Sequence, residues 1–128
     1  MAFTHQRDIC VRSFSFACEV VRLSDRLLRR CGVCRLLAEQ LAAAGTSVGA
    51  NVEEAQAGQT KPDFIAKTCV ALKEARESFF WLRLIEATVK PMQEEIRPLR
   101  AEASQLVAIL TAIVVKACSS SRRGPGPG

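Results

Sequence analysis

Three sets of side chains in this chain have types and spacings that could do chemistry. The first is cationic: Arg22, Arg26, Arg29 and Arg30 recur at helical spacing, and Arg35 continues the run. Guanidinium suits bidentate contact with phosphate and stacking on unpaired bases, although arginine near a helix C-terminus also serves the helix dipole alone. The second is Cys31 and Cys34, a Cys-x-x-Cys spacing. Zinc normally takes four Cys or His ligands, and a thioredoxin-like site needs a βαβ setting. Neither pattern is present, so these thiols, with Cys10, Cys18, Cys69 and Cys118, read as small packing groups in a reduced cytosol. A redox or inter-subunit metal role is the other reading of the Cys31 and Cys34 pair. The third set, Gln40, Ser47, Asn51 and Glu54, shares one helical face beside an apolar stripe. It fits a binding or catalytic groove, or a hydrogen-bond network that fixes how helices pair.

No catalytic residue, metal ligand or cofactor site is expected. Glu54 has no second carboxylate and histidine in a pattern suited to acid-base work, and the single histidine is His5. An enzyme would need a site assembled across subunits from Glu54, Glu74 or Cys34.

Charge placement carries more. Residues 1–35 hold seven arginines, no lysine and three acids (Asp8, Glu19, Asp25), whereas the remaining residues hold eleven bases and ten acids. The first segment thus supplies +4 of the chain's net +5. Repeated around an oligomeric ring, that surplus would multiply with the number of copies and require a polyanion or counterions. Arg122 and Arg123 could add non-specific contacts. Trp81, the one ring large enough to stack widely, reads as core or interface. Binding by shape and charge, without strong sequence readout, is the expectation.

The elements that must position these groups are helical. Thr60 reads as an N-cap, Pro62 as a first-turn residue and Asp63 as favourable charge at the positive end of a dipole. Apolar residues at Ile65, Thr68/Cys69, Leu72, Ala75, Phe79, Leu82 and Ile85 then mark one face of a helix over 62–88. A second stripe, Leu37, Leu41, Ala44, Val48, Val52 and Ala55, predicts a helix over 34–57 with Gly58 as its cap. The link is so short that the two are antiparallel neighbours. A helix over 5–30, with Thr4 as a candidate cap, turns Ile9, Phe16, Ala17, Val20, Leu23/Ser24 and Leu27 inward and ends at Cys31 and Gly32. A last helix over 96–117 has Pro98 in its first turn. Together these predict one all-α four-helix bundle over 1–118 and a disordered basic Gly/Pro tail over 119–128. The longest membrane candidate, Leu106 to Val115, stops at Lys116, short of the roughly 20 apolar residues of a span. The N-terminal MAFTHQRDIC lacks a secretory apolar region, so a cytoplasmic protein is expected.

Two features predict association. The last helix carries Leu106, Val107, Ile109, Leu110, Ile113, Val114 and Ala117, wider than one core stripe. The second helix carries small residues around its circumference, including Ala42, Ala43, Gly45, Ser47, Gly49 and Ala50.

The runs GTSVGAN (Gly45 to Asn51), Glu54, DFIAK (Asp63 to Lys67) and KEARESFFWL (Lys73 to Leu82) resemble a bacterial four-helix-bundle family. It includes proteins encoded in intervening sequences of the large ribosomal RNA gene and accessory variability determinants of diversity-generating retroelements. The resemblance spans roughly Leu36 to Ala117. It implies an antiparallel up-down bundle assembling as a homopentameric barrel and, in the retroelement branch, nucleic-acid binding and partnership with a reverse transcriptase. Ser47, Asn51 and Glu54 coincide with positions that typify the family. The expected function is therefore a non-catalytic accessory protein that binds structured RNA or an RNA/DNA hybrid through Arg22, Arg26, Arg29, Arg30, Arg35, Arg122 and Arg123. The alternative is an oligomeric protein-interaction scaffold with no nucleic-acid role.

Overall fold

A computed structural model describes residues 2–30 and 32–122, with side chains over 8–30 and 32–120. Among the described residues the chain forms four long helices: α1 (Ala2–Leu28), α2 (Gly32–Ala57), α3 (Lys61–Thr88) and α4 (Gln93–Arg122). Each packs on its successor and α1 closes on α4, the ring of contacts of an up-down bundle.

The start of α3 follows from its punctuation. Thr60 adopts an extended conformation and its hydroxyl accepts from the Asp63 N–H at 3.2 Å, while Pro62 occupies the first turn. Where capping glycines were expected, the outcome differs. Neither Gly32 nor Gly58 has positive φ. Instead α1 tightens into i→i−3 bonds, Arg29 N–H to the Arg26 carbonyl at 3.4 Å and Arg30 N–H to the Leu27 carbonyl at 3.1 Å. Gly58 N–H likewise donates to the Ala55 carbonyl at 3.3 Å. These 3-10 closures satisfy late carbonyls without a left-handed residue. Thr4, a candidate cap, lies inside α1.

The fourth helix starts earlier than expected. A 3-10 turn, Lys90–Met92, runs directly into α4, so Pro98 lies inside the helix and not in its first turn. At its far end α4 continues through Arg122, taking in the first residues of the expected tail; Arg123 and the rest of that tail lie outside the described residues.

The core follows the expected stripes. Ile9, Phe16, Val20, Leu23 and Leu27 of α1 meet Leu41, Val48 and Val52 of α2, Leu82 and Ile85 of α3, and Leu106 and Leu110 of α4. Each fully buried aliphatic side chain contributes about 1.5–3 kcal/mol. Helices α1 and α2 approach closely because α2 presents glycine at the crossing. A Cβ built on Gly45 would lie 2.6 Å from a Val20 methyl, and one on Gly49 would lie 3.2 Å from the Ser13 carbonyl oxygen.

Much apolar surface stays uncovered. On α4, Val107, Ile109, Ile113 and Val114 are only half-buried and Val115 is exposed. By length and composition Lys90–Ser120 is apolar enough to cross a membrane. That corrects the expectation from the uninterrupted run alone: one lysine, Lys116, hardly alters the average. Helix α1 adds a second stripe the sequence reading missed: Val11, Phe14, Val21 and Leu28 are all exposed, Phe14 by 61%. Their spacings of three and seven set them on one face, away from the core stripe. Val33 and Leu36 extend it onto α2, exposed by 69% and 58%.

Candidate nucleic-acid interface

The arginine cluster is assembled by the turn that joins α1 to α2. Arg22, Arg26, Arg29 and Arg30 occupy the last turns of α1 and the turn itself, and Arg35 the first turn of α2. All five are exposed. Four of them already hold a carboxylate. Arg22 meets Glu19 at 2.6 Å, Arg26 meets Glu95 of α4 at 2.8 Å, Arg29 meets Asp25 at 3.3 Å and Arg35 meets Glu39 at 3.7 Å. Among the described residues Arg30 has no ion pair. Five guanidinium groups facing four carboxylates leave this end far less positive than the first 35 residues alone imply, because the fold brings in Glu39 and Glu95 from later in the chain. Exposed pairs of this kind are worth only about 0–1 kcal/mol, so phosphate can displace the carboxylates at little cost. The side chain of Arg122 and all of Arg123 lie outside the described residues.

Arg12, which the sequence reading did not single out, is tied more firmly. Its guanidinium spans to Glu102, with the Nε–H donating to Oε2 at 3.2 Å, and its other arm reaches the Gln105 side-chain oxygen at 2.7 Å. Hydrogen bonding to Glu102 pushes the Arg12 pKa further up. It is a strap between α1 and α4, not a free cation.

The polar face of α2 divides. Asn51 Nδ2 donates to the Ser47 carbonyl at 2.8 Å and to the Ser47 hydroxyl at 3.0 Å, both residues half-buried. Gln40 and Glu54 are exposed and do not join them. Glu54 instead lines a shallow cavity of about 280 Å³ at the α2–α3 turn with Gly58, Asp63 and Lys67. Trp81 is half-buried, its ring edge-on to Phe80 at 5.2 Å between centroids.

The thiols differ from expectation at two positions, one of them Cys69, which is exposed and so is no packing group. Cys10, Cys18, Cys69 and Cys118 are free, but the buried Cys34 is disulfide-bonded, so it is not a reduced packing group; Cys31 lies outside the described residues. No cluster of three His, Cys, Asp or Glu able to hold a metal occurs among the described residues.

Fold and surface define a class: a small up-down helical bundle with paired arginines at one end and uncovered apolar stripes along its flanks. The chain belongs to the 23S rRNA-intervening sequence protein family, whose profile matches residues 5–112. It is similar to a crystal structure of a protein of unknown function from the S23 ribosomal protein family of Bacteroides thetaiotaomicron, with a TM-score of 0.78 and 30% identity over 86% of this chain and 97% of that one. No curated protein matches the chain.

Proposed function

We propose that the chain is a non-catalytic, cytoplasmic accessory protein that assembles as a homo-oligomer, five copies being the count the resemblance implies, and binds structured RNA or an RNA/DNA hybrid. The observation that carries this reading is the α1 stripe of Phe14, Val21 and Leu28, exposed yet apolar, with Arg22 on the same helix and Arg29 in the turn that follows it. Burying the stripe against other copies removes the apolar surface from water and gathers the arginine ends along one rim. A polyanion crossing several copies then adds weak contacts by multivalency. Gln40, Ser47, Asn51 and Glu54 would form part of the subunit contacts. The protein partner implied by the resemblance is a reverse transcriptase of a diversity-generating retroelement.

The test joins two measurements in one buffer. Light scattering should give a mass several times the 14.0 kDa of one chain. Affinity for a structured RNA should fall steeply with salt, with a log–log slope of about −4 or steeper for five or more phosphate contacts. Reversing Arg26 and Arg29 to Glu should abolish that binding while helicity stays intact. A monomeric mass would sink the assembly. An oligomer that ignores RNA at low salt would leave a protein-interaction scaffold.

A further inference from the structure

The cations that lack a carboxylate lie mostly elsewhere. Lys73, Arg76 and Arg83 recur along the outward face of α3, and Lys90 follows in the 3-10 turn; all four are exposed, and among the described residues none is ion-paired. Beside them Arg97 and Arg100 share a single carboxylate, Glu86, at 3.6 and 2.6 Å. This surface therefore keeps the surplus charge that the α1 end loses to its neighbours.

It also holds a ring. Phe80 sits three residues before Arg83 and four after Arg76, on the same helical stripe, and is 50% exposed. It forms one wall of a groove of about 520 Å³ between α3 and the start of α4, where Leu84 and Ala87 continue the apolar wall and Arg83, Arg100, Gln93 and the carboxylate of Glu86 supply polar groups. Gln93 is anchored by donating through Nε2 to the Glu86 carbonyl at 3.1 Å, which leaves its side-chain oxygen to accept. The Arg83 guanidinium is steadied 5.4 Å from the centre of the Phe79 ring.

We infer that this groove binds single-stranded nucleic acid, an unpaired base stacking on Phe80 while Arg76, Arg83 and Arg100 take the flanking phosphates. The inference rests on the nucleic-acid reading above but assigns a second surface and a different form of the polymer. Charge alone would serve a duplex or an acidic peptide equally well. An exposed ring inside the cationic stripe, with a polar acceptor beside it, favours a strand whose bases are free to leave a helix, because every base offers a face to stack.

The chain's one tryptophan, Trp81, touches Phe80 edge-on and there is no tyrosine, so intrinsic fluorescence reports on this groove. The test titrates the full chain with a fifteen-residue oligoadenylate, an RNA hairpin of equal charge and polyglutamate. The oligoadenylate should quench Trp81. Both Phe80→Ala and Phe80→Leu should weaken its binding about tenfold, the scale of one lost base stack, yet leave the hairpin affinity within about twofold. Arg76→Gln with Arg83→Gln should reduce the salt slope for the oligoadenylate by about two. Full binding by Phe80→Leu, or polyglutamate bound as tightly as oligoadenylate, overturns the site. Hairpin binding with no response to Phe80→Ala for either RNA overturns the site and leaves the basic-rim reading standing. Failure to bind any RNA at low salt overturns both.

Discussion

The two seams of α1 are held in opposite ways. Against α2 it closes at two glycines, with Gly45 under the Val20 side chain and Gly49 under the Ser13 backbone carbonyl. Against α4 the contacts are fewer, and a groove of about 370 Å³ remains between Phe16, Leu23, Pro98 and Leu99. There the helices are joined by Arg12 to Glu102 and Arg26 to Glu95. The first seam draws on packing, which is intolerant of volume. The second draws on exposed or half-exposed charge, which is adaptable and weak.

Substitutions should separate the two. The largest effect is expected from Gly45→Leu, whose side chain has no room beneath Val20; a loss of about 3 kcal/mol or more in urea denaturation follows from overpacking. A sharper version pairs Gly45→Ala with Val20→Ala, the new methyl occupying space that the old ones vacate. The double variant should be more stable than Val20→Ala alone; equal or lower stability would mean that the close approach is not what holds this seam. On the other side Glu102→Ala should cost about 1 kcal/mol, since Arg12 keeps Gln105 and partial access to water. Glu95→Gln should cost less than about 0.5 kcal/mol, an effect that vanishes at high salt.

The smallest effect should come from a carboxylate off both seams. Burial, then the nearby Glu77, raises the Glu74 pKa. Its folded value stands above its unfolded one, so the stability it contributes is present at low pH and lost as pH rises through that folded value. Glu74→Gln should therefore raise stability slightly at neutral pH and flatten the acid-to-neutral profile. A variant less stable at neutral pH would contradict the sign.

The contrast between the seams also marks what could be read from sequence. The core stripe of α2 and the cap at Thr60 were legible because a helix writes both locally, at spacings of three and four and within one turn. The glycines of α2 announced close packing, though not that Val20 and Ser13 would meet them. The straps were illegible: Arg12 and Glu102 stand ninety positions apart, and nothing near either names the other. The same blindness inflated the charge of the arginine end, since Glu95 arrives there only through folding. It also hid the α3 surface, where Arg97 and Arg100 of α4 join the α3 cations across a groove and share the one carboxylate of Glu86.

Short connections between successive helices have a kinetic consequence. Three of the four seams can form by local search, whereas joining α1 to α4 must close nearly the whole chain into a loop. That closure should come last in folding and, being held by its weakest contacts, should open first. Native-state hydrogen exchange would then find α4 opening as a unit at a lower free energy than the α1–α2 hairpin, a protein whose last step of assembly stays reversible long after the rest has set.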